Sequence, residues 1–234
     1  MGLDLFQNMP FVTENDPLGG FYPPQATGSE LFEYIESELL DLVSDGSTMK
    51  NSGTNLYPRV DKSAAWGLLA RLYLNAEVYT GTARWSDARD AAAQAVGSTY
   101  SLANNYQALF APDSDTNPDA RKELIFVTAY DHERTKSYGG SSYIIAAAMA
   151  GGDTEGKNLI GSDGWAGNRM PGDFALNNFT IENIDYETGH YDCDDSRALF
   201  WIKGRTRDID VLNNFDYGWN VAKFTNIAVQ GGNR

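Results

Sequence analysis

Apolar residues recur at helical spacing through the first half of the chain and lose that period in the second. In TGSELFEYIESELLDLV, Leu31, Ile35, Leu39 and Leu42 fall on one stripe. Thr27 and Glu30 ahead of them fit a capping box, in which hydroxyl and carboxylate each take one otherwise orphaned amide. The stripe ends at SDGSTMKNSGTN. In VDKSAAWGLLARLYLNAEVYTG the spacing returns with Ala64, Ala65, Leu68, Leu69, Leu72, Tyr73 and Ala76, and Gly81 supplies a stop. RWSDARDAAAQAVG repeats it with Ala88, Ala91, Ala92, Ala95 and Val96, stopped by Gly97. These spacings predict antiparallel helices over 62–79 and 86–96, packed through Ala65, Leu69, Ala88 and Ala92. Small facing residues joined by a short Gly/Thr turn make a tight αα-hairpin, the unit of tetratricopeptide-type solenoids. An ordinary helix pair is the plain alternative.

Outside these segments the pattern is irregular. Residues 1–26 are punctuated by Pro and Gly and read as irregular. KELIFVTAYD, from Glu123 to Tyr130, reads as a strand. Glycine and serine dominate from His132 to Met170, interrupted by the apolar run SSYIIAAAMAG. DFALNNFTIENI reads as a short helix or turn, DDSRALFWIKG as a helix running into a strand, and NNFDYGWNVAKFTN as strand with turns. The expected class is mainly α with little β, in one domain over 1–234. Residues 27–130 would form its helical scaffold and 131–234 a loop-rich face.

Composition removes several functions. The 234 residues carry a net charge of −14 with no cluster of Lys and Arg, which argues against nucleic acid and against an anionic membrane surface. No stretch is long and apolar enough to span a bilayer. One cysteine, Cys193, excludes an internal disulfide framework, and two histidines leave little for a His-rich metal site or a Ser-His triad. Neither a nucleophile elbow, a zinc-protease motif nor a phosphate-binding loop occurs. Glycoside hydrolysis needs only a pair of carboxylates, and 32 Asp and Glu make chance pairs inevitable.

Two constellations carry candidate chemistry. In APDSDTNPDARKE, Asp113, Asp115, Asn117 and Asp119 alternate like the first half of a calcium loop. Pro118 replaces the required glycine of an EF-hand and Leu124 the closing glutamate. A looser calcium site on Asp113, Asp115 and Asp119 and a solvated turn with a capping aspartate both stand; no other cofactor is expected. The second constellation spans RTKSYGGSSYII and IGSDGWAGNRMPGD, where Tyr138, Tyr143 and Trp165 sit in or beside Gly/Ser loops. Sugar rings present apolar C–H faces that stack on aromatic rings. Asn168, Arg169, Asp163 and Lys136 would serve the sugar hydroxyls. The alternative is that Trp165 is a buried plug.

Several of these stretches, in order, resemble the SusD/RagB family of outer-membrane nutrient-binding lipoproteins. RVDKSAAWGLLARLYLNAEVYTGTARWSDARDAAAQAV resembles that family's Lys-x-Ala-Ala helix, Ala-Arg-x-Tyr-Leu run and Trp-x-x-Ala helix, carried here by Lys62, Ala64, Ala65, Ala70, Arg71, Tyr73, Leu74, Trp85 and Ala88. YSLANNYQALFAPDSDTNPDARKELIFV is similar to its Tyr-x-Leu, Tyr-x-x-Leu-Phe and Lys-Glu-Ile/Leu-Ile-Phe succession, and MPFVTENDP to a Pro-x-Val loop upstream. The resemblance covers roughly residues 5–130 well and the remainder less distinctly. It implies a tetratricopeptide-like scaffold with a loop-rich glycan-binding face. It further implies a place on the outer face of an outer membrane through a lipid anchor, and delivery of glycan, starch-like glucan first, to a SusC-type TonB-dependent transporter without cleavage. No lipobox cysteine is present, so an internal fragment lacking the anchor region and the C-terminal helices is expected. A glycoside hydrolase and a helical protein-interaction scaffold are the competing classes.

Overall fold

The computed structural model describes residues 1–97, 99–130, 133–135 and 140–229. Two compact units form: Met1–Ser101 with Leu124–Ala129, and Leu102–Glu123 with Tyr130–Arg234. Helix dominates and strand is scarce among the described residues.

In the first unit, α1 (Gly2–Phe6) leads to β1 (Met9–Pro10), which pairs antiparallel with β2 (Gln25–Ala26). The irregular reading of residues 1–26 missed this helix and short ladder, because apolar runs so brief carry no period. Helix α2 (Gly28–Val43) opens on the expected capping box: the Glu30 amide donates to the Thr27 hydroxyl, and Glu30 accepts from the Thr27 amide. Leu31 and Leu39 are buried as the stripe requires, whereas Leu42 faces solvent.

Helix α3 (Lys62–Leu74) starts at Asp61, whose buried carboxylate accepts from the Ser63 and Gly53 amides and from the Tyr100 hydroxyl. The single helix expected over 62–79 divides at Asn75 into α3 and α4 (Ala76–Thr80). The Asn75 side chain donates to the Arg71 carbonyl, a local bond that competes with continuation of the helix. After Gly81, left-handed at φ 76°, α5 (Trp85–Val96) packs against α3. Ala88, Ala91 and Ala95 are its buried face, while Ala92 is half-buried and Val96 exposed. The inward stripe is thus rotated from the expected one. Leu69 is fully buried at the centre of a core that includes Phe32, Leu72, Tyr73 and Ala76. Glu36 ties the layers together, accepting from the Tyr73 hydroxyl at 2.8 Å and from Arg84 Nη1 at 2.9 Å. Burial, then Glu36 itself, pushes the Tyr73 hydroxyl up to about 12.

In the second unit a 3-10 turn (Tyr106–Phe110) and α6 (Pro118–Arg121) precede α7 (Gly140–Ala147) and α8 (Thr154–Ile160). Strand β3 (Arg169–Met170), helix α9 (Gly172–Asn178), the hairpin β4 (Glu182–Asp185) and β5 (His190–Asp192), then β6 (Phe200–Trp201) and β7 (Trp219–Val221) follow. Strand β7 lies between β3 and β6, antiparallel to both. Directly paired residues share a face. Arg169, Asn220 and Trp201 therefore point one way, and Met170, Trp219 and Phe200 the other. On the first side Trp201 packs with Ile145, Met149 and Ile160 of the α7–α8 layer. On the second, Trp219 packs with Ala175 of α9 and Tyr191 of the hairpin.

Three expectations fail here. Residues 123–130 form no strand, because no segment among the described residues pairs with them; Phe126 and Tyr130 are exposed. The helix expected within DDSRALFWIKG is a turn: Asp195 accepts from the Arg197 amide with its side chain and from the Ala198 amide with its carbonyl. Helix α8 went unseen inside the Gly/Ser stretch, although its Asp153 cap, accepting from the Gly156 amide, and its left-handed Gly161 stop are ordinary helix signals.

Candidate aromatic binding site

Helix α7 presents Tyr143 on its surface, and its end holds the segment that presents Trp165. The carbonyls at the end of a helix lack intrahelical partners. Here two of them, and the Met149 carbonyl just beyond the helix, are taken by the loop of residues 162–168. The Trp165 amide donates to the Ala146 carbonyl at 2.9 Å, the Ala166 amide to Met149 at 2.7 Å, and the Asn168 amide to Ala147 at 2.9 Å. The run reads as a loop in sequence, yet it is bonded along its length to the helix end.

Gly164 lets the two backbones approach. A Cβ at this position would overlap the Met149 carbonyl oxygen and lie 2.6 Å from its carbonyl carbon. Both obstacles are backbone and cannot swing aside. Gly164→Ala is expected to displace the loop at a cost of about 1–3 kcal/mol, as overpacking does, and to weaken ligand binding. Thermal melting and a binding titration of the variant check both; unchanged values in the two assays would remove the proposed contact.

The outcome is two neighbouring exposed rings. Trp165 is 59% and Tyr143 51% exposed, with ring centroids 6.0 Å apart and planes inclined at 48°. The buried-plug alternative for Trp165 is overturned by that exposure. Inclined faces of this kind suit a curved chain of sugar rings, each stacking its C–H face on one ring.

The remaining candidates fall in different places. Asn168 is tied to the same helix, its Nδ2 donating to the Ile144 carbonyl at 3.4 Å. Asp163 is exposed and paired with Lys157 of α8 at 2.9 Å. Arg169 does not reach outward: its guanidinium covers the Phe215 ring at 4.8 Å, and its Nη2 donates to the Leu212 carbonyl at 2.7 Å. Lys136 and Tyr138 lie outside the described residues. Sequence reasoning passed over Phe215, which sits in a polar turn without periodic neighbours.

The aspartates of the calcium reading are not gathered around a common point. Asp113 is buried and accepts from the Val229 amide at 3.1 Å. Asp119 accepts from the amides of Asn104 and Asn105 and pairs with Lys122 at 2.6 Å, while Asp115 is exposed. Asn117, rather than an aspartate, caps α6. Among the described residues no group of three His, Cys, Asp or Glu side chains is placed to hold a metal ion.

Lys122, then the Asn105 and Asn104 amides, holds the Asp119 carboxyl down at about 2. A folded-state value below the unfolded one gives stability that is complete above about pH 4 and is lost as the pH falls through about 2. Asp119→Asn is therefore expected to flatten the acid limb of the stability–pH curve in that window. Urea melts at stepped pH test this; parallel curves would reject it.

No protein-family model matches the chain. Over 150 residues, 64% of this chain, it is 38% identical to the starch-binding protein SusD of Bacteroides thetaiotaomicron. The chain is similar to SusD over that segment. The matched segment spans about a quarter, 26%, of the length of SusD. No described helix of the chain is long and apolar enough to cross a membrane.

Proposed function

We propose that the chain binds a glycan, a starch-like glucan first, on the Tyr143–Trp165 platform and does not cleave it. The observation that carries this is the pair of exposed, inclined rings, Tyr143 on α7 and Trp165 on the loop bonded to its end, in a chain similar to a protein named for starch binding. Two ring faces contribute roughly 1 kcal/mol each by stacking, giving the weak grip suited to a protein that hands its ligand on. Asn168 and Asp163 are the polar groups proposed for the sugar hydroxyls, with Arg169 acting from behind by fixing Phe215. The wider role follows the same likeness: a place at the outer face of the outer membrane, delivery to a SusC-type TonB-dependent transporter, and α3 and α5 as one tetratricopeptide-like pair of the scaffold.

Affinity electrophoresis against a panel of polysaccharides, run beside an assay for new reducing ends, tests the proposal. Retardation by starch with no new reducing ends is expected. New reducing ends would instead favour a hydrolase, and migration unaffected by every polysaccharide would favour a protein-interaction scaffold.

A further inference from the structure

Arg205 is buried, its side chain only 4% exposed, in the turn that follows β6. Its Nη1 donates to the Phe215 carbonyl at 2.8 Å. Its Nε and Nη2 are buried and have no hydrogen-bond partner among the described residues. Those two atoms form the side-on edge of the guanidinium, the fork that matches two oxygens of a carboxylate, sulfate or phosphate. The same chain shows what this edge ordinarily does. Arg197 places its Nε and Nη2 on Asp195, at 3.1 Å and 2.6 Å to one oxygen, and Arg207 places both on Asp173. Arg205 alone of these three arginines has this edge buried without a hydrogen-bond partner among the described residues.

Its surroundings sharpen the contrast. The same short turn, Leu212 to Asp216, is held by two guanidinium groups, Arg205 on the Phe215 carbonyl and Arg169 on the Phe215 ring and Leu212 carbonyl. Arg169 adds a further buried, unpartnered Nε. Two carboxylates stand near and neither fills the edge. Asp216 approaches Nη1 at 3.7 Å from a side chain 77% exposed. Asp153 spends its oxygens on the Gly156 amide and the Trp201 indole N–H. Burial, the largest influence, and the like charge of Arg169 both act against the charged form of Arg205, with Asp216 and Asp153 opposing them. An anion reaching this unpartnered edge would relieve both costs.

We propose that the Nε/Nη2 edge of Arg205 is an oxyanion-binding site, with Arg169 as its second positive charge. The ligand chemistry is a carboxylate or sulfate group, supplied either by a free small anion or by an acidic substituent of a glycan. The second source rests on the glycan-binding role proposed above; the first does not.

The test follows the arginine Nε–H resonances of the isotope-labelled chain by nuclear magnetic resonance, at constant ionic strength. Titration with sodium acetate and sodium sulfate is expected to shift the Arg205 signal saturably and leave those of Arg197 and Arg207, already filled, in place. Arg205→Lys keeps the charge and lacks the fork, so calorimetric affinity for the same anions should fall about tenfold or more. A charged oligogalacturonide shifting the Arg205 signal at lower concentration than acetate would assign the source as a glycan substituent; a response to acetate and sulfate alone would assign a free anion. A linear, unsaturated drift, or equal shifts at all three arginines, would overturn the proposal, and needs no variant to be seen. Neutral malto-oligosaccharides perturbing the Trp165 indole signal, without moving Arg205, report the aromatic platform separately.

Discussion

Replacing Trp219 with alanine is expected to lower stability by about 3–5 kcal/mol, as for other large core truncations. The ring is fully buried in the centre strand of the β3–β7–β6 sheet. It stacks on Tyr191 at 6.4 Å between centroids and contacts Tyr186 and Phe200 at 6.2 Å and 6.0 Å. Gly172 lies so close that a Cβ there would stand 3.0 Å from the indole, so α9 is seated directly on the ring. Alanine would open a cavity between strand, hairpin and helix at once. Denaturant melts of the variant measure the change; a loss below about 1 kcal/mol would show that these elements close over the gap.

Trp165→Ala should do the reverse. The ring is mostly in solvent, and its loop is held by backbone bonds that alanine retains. Stability is expected within about 0.5 kcal/mol of the parent, as for other surface changes. Glycan binding should fall about tenfold, because loss of one stacking platform removes about 1 kcal/mol or more. Gel retardation in starch and a thermal melt, on the same sample, decide it. A variant that unfolds readily, or that binds as well as the parent, would end the role assigned to this ring.

These two tryptophans also mark what the sequence could disclose. Trp165 was legible as a candidate because glycines and polar residues flank it, so its ring had no periodic apolar neighbours to join. Trp219, in NNFDYGWNVAKFTN, sits in much the same company, yet it is core. The difference lies in β3 and β6, which reach it from distant parts of the chain, and no local pattern announces such pairing. Helices with long stripes and caps, α2 above all, were readable because their stabilising contacts are three and four residues apart. The strand expected at 123–130 failed for the complementary reason: β-branched and aromatic residues make a strand only where a partner edge exists. Arg169, expected at the sugar hydroxyls, grips Phe215 instead, since nothing in the order of residues says which way a guanidinium folds back. The pairing of Tyr143 with Trp165 required α7 and its clasped loop to be seen together.

The clasp has a thermodynamic corollary. Because the amides of Trp165 and Asn168 end on carbonyls of the last turn of α7, and that of Ala166 on Met149 just beyond it, the loop and that turn are expected to open as one unit. Free energy gained by a ligand on the Trp165 ring is therefore shared by backbone it never touches. Amide hydrogen exchange in the final turn of α7 should slow as the platform fills, in proportion to occupancy. The end of that helix thus becomes a built-in reporter of whether the surface is loaded.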